Sequence, residues 1–483
     1  MSDIAKLKPQ AVWHEFDLIT RVPRPSKKEE RIIQYLVGFA KENGLRHKKD
    51  GAGNVTIFKP ATRTKKDSPA VVLQSHMDMV CEKNSNVTFD FENDPIKAKI
   101  NGGWVHAEGT TLGADDGIGM AAALAVLKAG DVEHPAIEAL FTVDEETGLT
   151  GAFNLGSDMI SGQYLINLDS EDEGEIFIGC AGGIGTTAVF NYKPREAPKN
   201  HDFFRVDVSG LTGGHSGDDI EKGRANSNKV LARLLWSVRQ ATGLALGYFD
   251  GGNLHNAIPR EAYAILGVPS KEAGKFRKIF DAFTKEIKDE YQYGDPGISL
   301  SASEMPAISE VVDDDTAEKL LRALLAVPNG PIAMSGAMPG LVETSTNLAS
   351  VKFADKHRIV IVTSQRSSLE GAKNYIAAAV ESAFALSGAE VTHNEGYPGW
   401  NPNPDSHLLE LTRQSYKELF GKEPKVRAIH AGLECGLFLQ KYPHLEMVSF
   451  GPTLRGVHSP DERLEIETVD KFWKLLVSLL GEI

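Results

Sequence analysis

AVVLQSHMDM (70–79) decides the fold class, because five residues that read as a buried strand run straight into a histidine and an aspartate. Working outward, AIEALFTV (136–143) and YLINL (164–168) are two more apolar runs of strand length, and GIGMAAALAVLKAG (117–130) reads as a helix of small residues. Upstream, Ser26 and Glu29 have the spacing of a capping box, and Ile32, Ile33, Leu36, Val37 and Phe39 follow at helical spacing until Gly44. Near-continuous apolar strands alternating with helices predict an α/β domain with a mostly parallel central sheet.

From about 204 the texture changes. FFRVDVSGL alternates like a half-exposed strand, and helices at about 223–242 and 270–290 flank further strands, giving β-α-β-β-α in outline. A similar succession starts near 297 with ISLSASE and runs through helices at about 315–326 and 369–386. After GYPGWNPNP the α/β texture resumes, ending in an amphipathic helix beyond Glu465. The expected organisation is a catalytic α/β domain (1–203 and 389–483) interrupted by an inserted α+β lid (204–388). The lid is read as two similar β-α-β-β-α-β units, about 204–295 and 296–388.

The chain has 483 residues, enough for two or three domains, and 52 basic against 66 acidic residues give a net charge of -14. With no compensating basic patch, nucleic acid and anionic membrane are disfavoured as partners. No basic leader precedes an apolar run, and no uncharged apolar stretch approaches the roughly 18 residues that span a bilayer. Cys81, Cys180 and Cys435 cannot all pair within one chain and match no zinc-knuckle spacing. These features predict a cytoplasmic protein.

Five segments concentrate His, Asp and Glu, each just after a predicted strand or at a helix start, where α/β sheets place their sites. His76 and Asp78 lie two apart, so they can point the same way, His76 as ligand and Asp78 as its orienter; alone, the pair could be a surface turn. Asp115 and Asp116 open a glycine-rich helix start, where one of them could merely be an N-cap. Glu145 and Glu146 repel each other, which a buried cleft tolerates only with cations or a raised pKa; solvated turn carboxylates are the competing reading. Asp169 ends a strand, and the acidic run after it reads as solvated surface. His458 sits in FGPTLRGVHSPDE after the last strand. Two histidines, several carboxylates, one aspartate able to bridge and one glutamate left over make the inventory of a two-metal hydrolytic site. Mixed N and O donors without thiolate suit zinc, with cobalt or manganese able to substitute.

SHMDM, TLGADDGIG, DEETG, NLDSEDEG, GGHSG with GRAN, and GVHSPDE together resemble the dinuclear zinc peptidases, a family of carboxypeptidases, aminoacylases, tripeptidases and dipeptidases, over essentially the whole chain. The resemblance implies that His76, Asp115 and Asp169 hold one zinc, that Asp115, Glu146 and His458 hold the other, and that the peptide after Asp115 is cis. It implies Glu145 as general base, Asp78 as orienter of His76, and His215 in GGHSGDDI as stabiliser of the oxyanion. Asn253 and Arg366 would grip the substrate carboxylate, with a backbone group of Gly432 beside them; a surface strand position is the other reading of Arg366. His255, His430 and Asn347 stay unassigned.

The implied activity is two-zinc hydrolysis of unblocked dipeptides, including those ending in histidine such as β-alanyl-histidine. An aminoacylase or carboxypeptidase, or a non-catalytic scaffold, are the alternatives. In relatives with a single lid unit the oxyanion histidine comes from a dimer partner, whereas a duplicated lid could supply it within one chain, so a monomer or a homodimer is expected.

Overall fold

The three apolar runs become neighbours in an eight-stranded mixed sheet, because each is apolar throughout and only a position covered on both faces buries all of it. The computed structural model describes residues 2–355 and 357–483. Strands Ile137–Thr142, Val71–His76, Tyr164–Asn167 and Glu446–Ser449 are adjacent and parallel, and every residue of the first three is buried. Antiparallel pairs flank them, so the expected parallel core lies at the centre of a mixed sheet.

Helix Ala114–Lys128 packs on strand Val71–His76 and on helix Gln10–Ile19. Residues 116–127 are all buried, as a helix apolar all round must be. Its larger side chains, Ile118, Met120, Leu124 and Leu127, each contribute about 1.5–3 kcal/mol by leaving water.

The chain divides into two compact units. The first comprises the chain up to Gly179 with Pro402–Ala428 and Glu434–Ile483; the second is Cys180–Asn401 with Ile429–Leu433. The expected boundary at 204 is therefore too late, because strand Gly182–Asn191 hydrogen-bonds into the second unit's sheet, beside Arg358–Ser367. The boundary at 388 is too early, since Glu390–His393 pairs with that same strand.

The division at 296 also moves. Strand Ser299–Met305, read as opening the second half, pairs with His201–Ser209 and closes the first half. In the nine-stranded sheet the first half runs Ser299–Met305, His201–Ser209, Ala262–Pro269, Ala245–Gly251, and the second continues Val342–Ala354, Arg358–Ser367, Gly182–Asn191, Glu390–His393. Read from either outer edge, the order in each half is last strand, first, third, second. Each half is thus β-α-β-β-α-β, but the halves are nested, with the first inserted between the opening strand and the rest of the second. Texture could not reveal this, because pairing partners are set by register and not by composition.

Buried polar groups tie the halves of this unit together. Asn226 of the GRAN segment accepts from Lys229 N–H as helix cap, and its amide donates to Asn329 Oδ1 (3.0 Å) and Leu348 O (3.0 Å). Such a cap contributes about 1 kcal/mol. Lys229 Nζ donates to Leu324 O (2.7 Å), Leu325 O (3.3 Å) and Val327 O, closing the end of helix Asp314–Ala326. Burial draws its pKa down to about 8.

Candidate metal centre

Register brings the first donors together. Gln74 is level with Asn167, and His76 with Thr142, in the parallel strands. Two residues beyond the first pair, His76 Nε2 therefore lies 3.5 Å from Asp169 Oδ1, and three beyond Thr142 comes Glu145. Asp115 stands between the histidines: Oδ1 is 3.0 Å from His76 Nε2 and Oδ2 is 3.2 Å from His458 Nε2. Glu146 Oε2 is 3.0 Å from the same His458 nitrogen. The ligand atoms of His76, Asp115 and Asp169 lie within 4.8 Å of one another, and so do those of Asp115, Glu146 and His458.

Local structure explains these positions. The Asp115–Asp116 peptide is cis, at a break in the first turn of helix Ala114–Lys128. The Asp116 carboxylate folds back to accept Gly119 N–H (3.0 Å), and a Cβ on Gly119 would lie 2.3 Å from Asp116 Oδ1, so a side chain there is excluded. Gly113 (φ +69) precedes them in the left-handed conformation, which glycine adopts at no steric cost. Glu462, buried, accepts the N–H groups of Leu112, Gly113 and Ala114 at 2.7–3.0 Å and of Asp115 at 3.3 Å. Its motif, SPDE, had drawn attention only for His458.

Asp144 is left-handed (φ 50, ψ 48), a conformation costing an L side chain roughly 1–2 kcal/mol. Hydrogen bonds to its carboxylate from Thr147 and Thr150 offset that cost. Asp78 Oδ1 is 3.3 Å from His76 Nδ1, an ion-pair distance without hydrogen-bond alignment.

Charge is unbalanced. Asp115, Asp116, Glu145, Glu146 and Asp169 crowd together, and burial raises Glu145 well above the ordinary carboxylate range, with Asp169, Glu434 and Glu146 adding to it against His76. Burial lifts Asp169 to about 7. Asp115 is held below the ordinary range despite its burial, because His458 and His76 bond to it. Hydrogen bonds to Asp115 and Glu146 carry His458 up to about 11. Glu146 Oε1 is buried with no partner. A carboxylate surplus with an orphaned oxygen and all-N/O donors fits divalent cations. Glu171, half-buried, is lifted to about 7 by burial, so the acidic run after Asp169 is not simply solvated.

The remaining candidates belong to the second unit. Arg366, 7% exposed, donates through Nη1 to Tyr397 Oη (2.9 Å), while its Nε has no partner. Both line a cavity of about 200 Å³ with Ser364, Gln365, Asn394 and the unassigned His255. Gly432 lies against the Tyr397 ring, where a Cβ would come within 2.8 Å. Asn253 Oδ1 accepts from Lys352 Nζ (2.9 Å), and it is His255, two residues on, that faces the cavity. His215 Nδ1 accepts weakly from Gly217 and Asp218 N–H, both at 3.3 Å. His430 bonds Ser345 Oγ through Nε2 (2.7 Å), and burial with Arg366 lowers its pKa to about 4. Asn347 donates to Ala257 O (2.8 Å), a structural role.

Besides Glu462, sequence reading missed the roles of Ser26, Glu29 and Glu434. Ser26 and Glu29 do not cap the first long helix, which starts at Glu30 with no side-chain cap; Lys27 (φ 65) breaks the register a capping box needs. Glu434, 2% exposed, accepts from Gln74 Nε2 (2.7 Å) and Thr142 Oγ1 (2.9 Å), and burial lifts it to about 8. Its one signal in the sequence is its place in HAGLECG (430–436), two residues after the candidate Gly432.

The sequence matches Peptidase family M20/M25/M40 over residues 72–482. It is 42% identical to the cytosol non-specific dipeptidase of Escherichia coli (strain K12), over 100% of this chain and 99% of that one. The crystal structure of aminoacylhistidine dipeptidase from Vibrio alginolyticus matches with a TM-score of 0.95 at 41% identity, over 100% of this chain and 98% of that one. An aminopeptidase PepT from Bacillus cereus, at 19% identity and a TM-score of 0.58 over 99% of each chain, shares the fold. The donor geometry and these likenesses agree: the chain belongs to Peptidase family M20/M25/M40 and is a metal-dependent hydrolase of peptide bonds.

Proposed function

We propose that the protein hydrolyses unblocked dipeptides, those with C-terminal histidine and β-alanyl-histidine among them, in the cytoplasm. The observation that carries this reading is Asp115, whose two oxygens face His76 and His458 at 3.0 and 3.2 Å. His76, Asp115 and Asp169 would hold one zinc ion, and Asp115, Glu146 and His458 a second, with cobalt or manganese able to replace them. Bound there, the metals would lower the pKa of water and polarise the scissile carbonyl.

Glu145 takes the proton of the attacking water on its carboxylate and releases it to the leaving amine nitrogen. Burial, with Asp169, Glu434 and Glu146 beside it, raises its pKa and so makes the carboxylate a stronger proton acceptor. Asp78 orients His76 through Nδ1. Arg366, Asn253 and the Gly432 backbone would bind the substrate carboxylate, and His215 the oxyanion, whether in a monomer or a homodimer.

Support comes from the full-length likeness to two dipeptidases, one of them called cytosolic. No helix among the described residues is long and apolar enough to cross a membrane. The test is a metal count paired with a dipeptide panel varying the C-terminal residue, with N-acetylated amino acids alongside. Cleavage of the free dipeptides and not of the acetylated compounds is expected, with two metals per chain. His458→Ala should leave one; two remaining would contradict its place as a ligand.

A further inference from the structure

Within residues 24–29, the side chains of Arg24, Ser26 and Glu29 bond to the segments that carry the candidate metal ligands. Arg24, 2% exposed, donates to Met77 O (3.2 Å), Asp78 O and Gly113 O, tying the His76 loop to the Asp115 loop. Ser26 Oγ donates to Asp78 Oδ2 (2.7 Å). The same carboxylate accepts Glu145 N–H at Oδ1 (3.0 Å) and Glu146 N–H at Oδ2 (3.3 Å). Glu29 Oε1 accepts Lys27 N–H (2.9 Å) and Asp144 N–H (3.0 Å).

Glu29, Asp78 and Asp144 are buried with ligand atoms within 4.8 Å of one another, a grouping that resembles a cation site. Their donors are accounted for otherwise. Backbone N–H groups fill Glu29, a hydroxyl and two N–H groups fill Asp78, and two threonine hydroxyls fill Asp144. The trio works as a hydrogen-bond clamp. Three consecutive amides, those of Asp144, Glu145 and Glu146, end on carboxylates that residues 24–29 supply or hold in place.

We propose that Ser26 and Glu29 are positioning residues for hydrolysis, Glu29 through Asp144 and Ser26 through Asp78, which fix the backbone carrying Glu145. This rests on the reading of Glu145 as the base. Displacing a base by even an ångström costs about 100-fold in rate, so a fixed backbone is worth a dedicated element.

The test compares Glu29→Ala, Glu29→Gln and Ser26→Ala in the full chain. Glu29→Ala should lower kcat about 10- to 100-fold with KM within about threefold and the metal count unchanged. Glu29→Gln should recover most of the loss, since its amide oxygen can accept the same two N–H groups. Ser26→Ala, which deletes one donor, should lose about 3- to 10-fold. In the metal-free protein, amide hydrogen exchange over residues 143–148 should be at least about tenfold faster in Glu29→Ala. Unchanged exchange, a loss confined to KM, loss of metal, or Glu29→Gln as impaired as Glu29→Ala would each overturn the proposal. Full turnover in Glu145→Ala would instead sink the assignment of the base, leaving the exchange result to stand or fall separately.

Discussion

The parallel centre of the first unit and the antiparallel sheet of the second both bury polar residues that bond across strands, as Asn167 Nδ2 does to Gln74 Oε1 (2.6 Å) in the first, but they hold their candidate functional residues differently. In the first, strands buried throughout end on one edge, and the candidate chemistry collects between the last residue of a strand and the fourth beyond it: His76 and Asp78, Glu145 and Glu146, Asp169. In the second, the candidate Arg366 sits inside a strand, among polar groups that bond one another. Gln365 accepts from Thr186 Oγ1 (2.6 Å) and donates to Thr363 Oγ1 (2.7 Å), and Arg366 reaches Tyr397. A parallel edge gathers function into short motifs, whereas an antiparallel interior spreads it over distant parts of the chain.

The largest effect should come from the edge. Glu145→Ala is expected to keep its metals and lose about 10²- to 10⁴-fold in turnover, read from kcat beside metal analysis. Loss of the metals would show that the residue holds the centre together rather than moving a proton.

The same edge should make metal loading depend on pH. In the metal-free chain His458 is raised to about 11 and His76 is also raised, so both carry protons at neutral pH that a metal must displace. Affinity should therefore fall as pH falls, by about tenfold per pH unit for each proton displaced, with matching proton release in calorimetry. A flat profile would contradict the hydrogen bonds that set these values.

A smaller effect is expected from the antiparallel interior. Arg366→Ala should raise KM about tenfold with kcat changed less, and Arg366→Lys should not restore it, because a point charge lacks the planar fork. Equal losses in kcat and kcat/KM would place Arg366 in the reacting geometry instead, and erase the contrast between the two sheets.

Legibility followed the same divide. His76, Asp115, Glu146, Asp169 and His458 stood out in short motifs at strand ends and helix starts, and the structure brings their donor atoms together in the two groups that resemblance implied. Ser26 and Glu29 were misread because a capping box and a pair of inward-pointing side chains share one spacing. Glu434 and Glu462 were overlooked because a lone acid shows no sign of the donors that await it. His255 was noticed without a role, since only the folded sheet sets it beside Arg366.

What the sequence determined by itself was the α/β class, the apolar central strands and the candidate donors of the metal centre, because apolar periodicity and motif spacing act over a few residues. Only the tertiary structure decided the nesting of the two halves around strand Gly182–Asn191 and the grip of residues 24–29 on the Glu145 backbone. Both depend on hydrogen bonds between segments far apart in the chain, whose partners are chosen by register and burial and leave no local trace.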